Sequence, residues 1–288
     1  MNVAVCLITR LSNKYLREWT EYYKGIGFDK IFIYDNNRDD EEKCIDEIPD
    51  YVDNGFVDII DFGNENGRVQ ESAYQDCYEK HNKEYDWIAF FDDDEYVTLN
   101  NCNNIKDFLS NPIFENVNGV AFPMINYCDT DVIINDKKTR LDVYTSVKDL
   151  NFLFSNSYYK TIAKCGINVS YKRNIISDGS LYDGCCHIPL VDNIPFNNIS
   201  DCDGNKIDGI YGTSCQFYVY NAFLKHIPTG CIDDYINGKR RRGWPDTDSP
   251  MQYEKENQFG YDYFLLYNND SEEKRKYYEE NKFRHFCK

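Results

Sequence analysis

At 288 residues and 42% hydrophobic content, the chain can bury a sizeable core as one enzyme-sized unit. Its formal net charge of −17 excludes general nucleic-acid binding, which needs a broad basic surface to displace counterions. No apolar run approaches the ~20 residues that span a bilayer, and residues 1–8 lack the basic region and small-residue cleavage site of a signal peptide.

In chain order, residues 3–8 form an apolar run of strand length that ends in polar Thr9 and Arg10. A helix follows, with Leu16, Trp19, Tyr22 and Tyr23 at helical spacing, Ser12 or Asn13 as its cap, and Gly25 and Gly27 at its end. Residues 30–34 read as a second strand running into Asp35, Asn36 and Asn37, and residues 56–60 as a third. Residues 67–83 are helical in pattern, and residues 87–91 make a fourth strand that runs into Asp92, Asp93, Asp94 and Glu95. Such alternation predicts a parallel sheet with helices on both faces and right-handed crossovers. Ligands of these sheets bind beyond the carboxyl ends of the strands, so Thr9, Arg10, Asp35 and the acids are expected at one crevice. Gly25 and Gly27 follow a helix and no G-x-G-x-x-G occurs, which argues against a dinucleotide fold.

The second half is less regular. Residues 119–123 and 143–147 are β-rich, and residues 192–209, rich in Asn, Asp and Gly, are expected to form a loop or lid. Lys239–Arg242 is the one dense basic cluster, read as a local anion site, a membrane-facing patch or a solvated helix end. Residues 271–288 predict a charged, Tyr-rich helix that packs on the outside or against a membrane. The twelve cysteines are scattered without C-x-x-C spacing, so we expect a reduced, cytoplasmic protein, peripheral to a membrane at most, with its cysteines as core filler.

The acids pose the central question. In an extended chain Asp92 and Asp94 share one face and Asp93 takes the other, and two carboxylates on one face raise each other's pKa. A divalent cation with hard oxygen ligands, Mn²⁺ or Mg²⁺, removes that penalty, above all when it also holds substrate phosphates.

Residues 91–97, with their D-x-D-E pattern, resemble the corresponding segment of GT-A fold glycosyltransferases, in particular the branch related to families 2 and 92. Residues 15–19 and 27–37 resemble that branch's opening helix and strand, and Lys160-Thr-Ile resembles its lysine segment. Residues 226–243 (HIPTGCIDDYINGKRRRG) resemble its H-Y-x-x-K-S-x-E-E-F…R-G segment, but carry Ile227, Gly230 and Cys231 where the family has Tyr, Lys and Ser. The resemblance implies a Rossmann-like mixed α/β sheet with helices on both faces and an irregular β-rich C-terminal half. It implies one domain over 1–288: a nucleotide-sugar half at 1–110, an acceptor-side half at 111–270 and a C-terminal helix at 271–288.

By the same resemblance, the donor is a nucleotide-diphosphate sugar, best a UDP-sugar, and the acceptor a glycan or lipid-linked hydroxyl attacked with inversion. Thr9, Arg10, Asp35, Arg68, Asp92, Asp93, Lys160, His187 and Arg242 are the candidate donor-binding residues. Asp92, Asp94 and His226 are the candidate ligands of Mn²⁺ or Mg²⁺. Inversion needs a general base, for which Asp183 is the first candidate and Asp129 the second. Two other readings compete. A non-catalytic glycan- or nucleotide-binding relative would keep the same fold. A haloacid-dehalogenase-like phosphohydrolase also places D-x-D after a strand, but after the first strand and with Thr or Val where Tyr96 stands here.

Overall fold

The computed structural model describes residues 1–65, 67–128, 131–137, 139–147, 158–172, 187–195, 197–207, 220–242 and 260–285. A nine-stranded mixed sheet is built from β1 (Val3–Thr9), β2 (Lys30–Asp35), β3 (Val57–Asp61), β4 (Trp87–Phe90), β5 (Glu95–Leu99), β6 (Gly119–Asn126), β7 (Tyr159–Lys164), β11 (Ile199–Asp201) and β12 (Ala222–His226). A small second sheet joins β8 (Val169–Ser170), β9 (Leu190–Val191) and β10 (Ile194–Pro195). The main order is β3-β2-β1-β4-β7-β6-β12-β5, with β11 beside the first half of β6. The first four strands in this order are parallel, as the alternation of strands and helices predicts.

Alternation along β1 sets the layers. Val3, Val5 and Leu7 enter one core cluster with Leu16, Trp19 and Tyr23 of helix α1 (Leu16–Gly25). Ala4 and Cys6 enter the other, with Ala73, Tyr74, Cys77 and Tyr78 of α4 (Val69–His81). Each face of the sheet therefore carries a helix, and strands buried on both faces read as continuous apolar runs. Between these helices the chain makes two short ones, α2 (Cys44–Glu47) and α3 (Pro49–Asp53).

The start of α1 departs from expectation: Asn13–Tyr15 forms a 3₁₀ turn, and neither Ser12 nor Tyr15 caps a helix through its side chain. Its end is as expected. Gly27 takes φ +95°, its N–H donates to the Lys24 carbonyl, and the Phe28 N–H donates to the Tyr23 carbonyl while the two rings pack at 5.3 Å. This is the paired-bond, left-handed stop that glycine permits. A Cβ at Gly27 would also meet the Asn104 side chain at 2.2 Å.

One connection shapes the site. β5 begins five residues after β4 ends, yet it lies four places away in the strand order. Five peptide links reach ~17 Å at most, whereas four strand spacings in a flat sheet come to ~19 Å. The sheet must therefore curl until β12 and β5 close over the end of β4. The directions put one set of ends together: the carboxyl ends of β1, β2, β4, β6 and β12 share an edge with the starts of the antiparallel strands β5 and β7.

Elsewhere the expectations meet differences. Residues 143–147 form no strand, only an isolated bridge between Ser146 and Cys128. The stretch 192–209, expected to be a loop, holds β10 and β11 within its described part. The tail is helical at Glu272–Asn281, with Ser271 accepting from the Lys274 N–H, and it packs inward: Tyr278 is buried with Ile232, Tyr235, Ile236 and Phe264. The eight described cysteines are all free, and six are buried. No helix among the described residues is long and apolar enough to cross a membrane.

Trp19 ties α1 to the end of β4, its indole N–H shared between the carbonyls of Asp92 at 3.1 Å and Glu95 at 3.2 Å. Trp19→Phe keeps much of the ring and removes the donor. It should cost about 1–3 kcal/mol in urea unfolding, the usual penalty for orphaned buried groups.

Candidate active site at the acidic turn

The chain leaves β4 with the Phe91 N–H donating to the Cys6 carbonyl, then turns at Asp93 and Asp94. Four neighbours hold the backbone of this turn. Trp19 donates to the carbonyls of Asp92 and Glu95, Tyr23 donates to that of Glu95 at 3.0 Å, Arg140 to that of Asp93, and the Ile227 N–H to that of Asp94 at 2.8 Å. The Glu95 side chain returns to accept the Asp92 N–H at 2.8 Å. A turn does not alternate its side chains, so the extended-chain expectation for the acids fails: each carboxylate meets its own surroundings.

Asp92 faces α4 and β7. Its Oδ1 accepts from Gln70 at 2.7 Å and Tyr74 at 2.9 Å, and its Oδ2 pairs with buried Lys160 at 2.9 Å. Burial alone would raise its pKa, but Lys160 and the Tyr74 hydroxyl hold it well below the usual carboxylate range. Asp93 turns toward β1, accepting from Thr9 Oγ1 at 2.6 Å and lying 3.4 Å from Arg242. Burial opposes its ionisation, and the charges of Arg242 and Arg140 overcome that and lower its pKa.

Asp94 and Glu95 have no such full compensation. Asp94 Oδ1 is buried without a hydrogen-bond partner and lies 3.6 Å from His226 Nε2. Burial pushes the Glu95 carboxyl well up; Lys160 opposes this, and the charges of Asp92 and Asp94 add to it. His226, at the end of β12, has its Nδ1 2.7 Å from Asn126 Oδ1. With Nδ1 donating to that oxygen, Nε2 offers a lone pair toward Asp94. Burial also pushes the His226 pKa down, although Asp94 draws it up. One donor atom each from Asp94, Glu95 and His226 fall within 4.8 Å of one another. Lys160 Nζ also lies 4.0 Å from Glu95 Oε1, so Asp94 Oδ1 and His226 Nε2 are the acceptors left to face one another, and with Glu95 beside them they fit a divalent cation. Asp92, read from the sequence as a ligand, is instead engaged by Lys160.

Asp94 alone of the four acids opens into a cleft of about 390 Å³, whose wall is of mixed charge: Lys14, Arg140, Lys239, Arg241 and Arg242 face it, and so do Asp40, Glu41, Glu42, Asp233 and Asp234. Burial pushes the Lys239 ammonium down, and the charge of Asp94 pulls it up. Within the basic cluster, Arg240 is buried, packs its guanidinium 5.3 Å from the Tyr278 ring and donates to the Lys282 carbonyl, while Arg242 donates to the Arg10 carbonyl at 3.0 Å. These contacts tie Arg240 and Arg242 into the fold, so the cluster is not a freely solvated helix end.

The structure thus brings Thr9, Asp92, Asp93, Asp94, Lys160, His226 and Arg242 to one edge. His187 joins them from the residues before β9. Its Nδ1 lies 3.1 Å from the Tyr159 carbonyl, and burial, helped by Lys160, pushes its pKa down to about 4. The remaining donor-binding candidates are occupied elsewhere. Arg10 grips Glu41 with two bonds, at 2.7 and 2.9 Å, and Arg68 pairs with Glu71 at 3.1 Å. Asp35 is buried, its oxygens taken by Asn37 and the Cys44 N–H, so it shapes its own loop. Asp129 and Asp183 lie outside the described residues. Glu95 as a ligand, Arg140 and Asn126 were not singled out from the sequence, and Lys239 only as part of the basic cluster; the polar ends of β6 and β12 were the only signal for Asn126.

Comparison with known proteins agrees with this picture. The family model described as glycosyltransferase family 92 matches residues 1–169, which carry β1 to β7 and the acidic turn. A glycosyltransferase family 92 protein of Oryza sativa subsp. japonica is 29% identical over 110 residues, 38% of this chain and 18% of the relative. One from Arabidopsis thaliana is 32% identical over 94 residues, 32% of this chain and 16% of the relative. The chain therefore spans under a fifth of the length of either relative. Among solved structures, S. aureus TarS 1-349 in complex with UDP-GlcNAc aligns over 90% of this chain and 70% of that one, with 10% identity and a TM-score of 0.40. By the family model and these relatives, the chain belongs to glycosyltransferase family 92.

Proposed function

We propose that this protein is a metal-dependent glycosyltransferase that moves a sugar from a nucleotide-diphosphate sugar, best a UDP-sugar, to a hydroxyl of a glycan or lipid-linked glycan, with inversion. The observation that carries the reading is the buried, unpartnered Asp94 Oδ1 facing His226 Nε2 at the wall of a cleft that Arg241, Arg242 and Lys239 also line. Membership of family 92 supports the reaction class, and resemblance to that branch supports UDP.

Asp94, Glu95 and His226 would hold Mn²⁺ or Mg²⁺. When bound, such a cation supplies Lewis-acid stabilisation to a departing diphosphate. The chain supplies the rest of the positive charge. Arg242 and Arg241 line the same cleft as Asp94, where guanidinium forks suit phosphate oxygens, and Lys239 adds a point charge. Asp92, locked by Lys160, Gln70 and Tyr74, presents a fixed carboxylate that can accept from a sugar hydroxyl. Because its partners are preset, little reorganisation is needed when charge develops.

Two measurements test this. At concentrations near 100 times Kd, UDP with Mn²⁺ should stabilise the protein by about 2.7 kcal/mol, a shift of several degrees in Tm, and Asp94→Ala should abolish the gain. No shift with either UDP or GDP in the presence of Mn²⁺ would overturn the reading. Arg242→Met removes a charge-assisted contact to the diphosphate and should weaken UDP binding in calorimetry by roughly tenfold or more; unchanged affinity would place the diphosphate elsewhere.

A further inference from the structure

The surroundings of Asp92 are built differently from the cleft that Asp94 enters. β7 runs antiparallel to β4, so its first residues arrive where β4 ends. Lys160 reaches Asp92 there, and Tyr158, just ahead of β7, stands 44% exposed, unusual for so large an apolar ring in this chain. Its ring lies 5.7 Å from that of His187 and is tilted 30° to it. His187 is fixed from two sides: its carbonyl accepts from Thr161 Oγ1 at 2.8 Å, and its Nδ1 lies against the Tyr159 carbonyl. A carbonyl only accepts, so Nδ1 carries the proton and Nε2 of the neutral ring is left as an acceptor.

From this juxtaposition we infer that Tyr158 and His187 form the subsite for a pyranose ring of the acceptor, beside Asp92. The inference rests on the transferase reading with its glycan acceptor and adds to it the residues that hold the acceptor's ring. A pyranose presents a face of C–H bonds with a rim of hydroxyls. The Tyr158 ring offers an aromatic face for the first, while His187 Nε2 and the Asp92 carboxylate offer acceptors for the second. Asp92 is suited to this because its side chain is about a third exposed, whereas Lys160 behind it is buried. The fixed tautomer of His187 also selects: it takes a hydrogen bond from a hydroxyl and rejects a bare ether oxygen at the same point.

Saturation-transfer NMR with methyl β-glucopyranoside as the probe, on the whole chain with UDP and Mn²⁺ present, reads the subsite directly. The ring protons should receive saturation from the wild-type protein. Tyr158→Ala should weaken the affinity from a probe titration by roughly three- to tenfold, whereas Tyr158→Phe, which keeps the ring, should retain it. An exposed position makes loss of the fold by Tyr158→Ala improbable, and a thermal melt of the variant checks this. No saturation transfer from the wild type, or equal affinity in wild type and Tyr158→Ala, would overturn the inference. The wild-type response to UDP and Mn²⁺ reports separately on the transferase reading, so the failure of one is distinguishable from the failure of the other.

Discussion

Four consecutive carboxylates at the end of a buried strand are tolerable only if each is answered, and the architecture follows from how they are answered. Repulsion within the run cannot be relieved by solvent, because Asp93, Asp94 and Glu95 are all buried. The fold separates them by turning the chain, and it directs different partners at each: Lys160 from β7 toward Asp92, Thr9 and Arg242 toward Asp93. Those pairs cross the molecule in sequence, which makes the turn the meeting point of the sheet and of the segment beyond residue 220. Glu95 accepts the Asp92 N–H and has Lys160 at 4.0 Å, so what remains unanswered is Asp94 Oδ1, facing the lone pair of His226. A buried ion pair costs desolvation and must be well satisfied to persist, so an unanswered carboxylate in this setting points to a ligand more strongly than a satisfied one.

The same turn divides two chemistries. On one side lies the mixed-charge cleft that Asp94 enters, where Arg241, Arg242 and Lys239 are the groups suited to a diphosphate. On the other lie Tyr158, His187 and Asp92, suited to a ring with hydroxyls. A transfer reaction needs donor and acceptor held in register on either side of the bond to be made, and the turn is short enough to touch both. Curling of the sheet is what brings this about: without it, His226 on β12 and Lys160 on β7 would not reach a turn at the end of β4.

Much of this was legible in the amino-acid order because the first half obeys simple periodicities. The apolar runs of β1, β2 and β4, the Leu16–Trp19–Tyr23 stripe and the Gly27 stop are local signals, and the structure meets them within a residue or two. Gathering Thr9 and the acids followed from the rule for parallel sheets. The roles of individual side chains were less accessible, since they depend on contacts between distant segments. Asp35 has the same composition and strand-end position as a nucleotide contact, yet Asn37 and the Cys44 N–H consume it. Arg140 sits in a stretch with no periodicity, and only the tertiary fold delivers it to the Asp93 carbonyl. Alternation along an extended chain misassigned the pairing of Asp92 with Asp94, because the chain turns where repulsion is greatest.

The most direct test of the central claim is a crystal of the protein soaked with Mn²⁺ and UDP, with diffraction recorded at the manganese absorption edge. The charge arrangement predicts one anomalous peak within bonding distance of Asp94 Oδ1 and His226 Nε2, on the side facing the cleft that Asp94 enters. A crystal that holds UDP with no anomalous peak at Asp94, or with the peak at the Asp92–Lys160 pair instead, would contradict it.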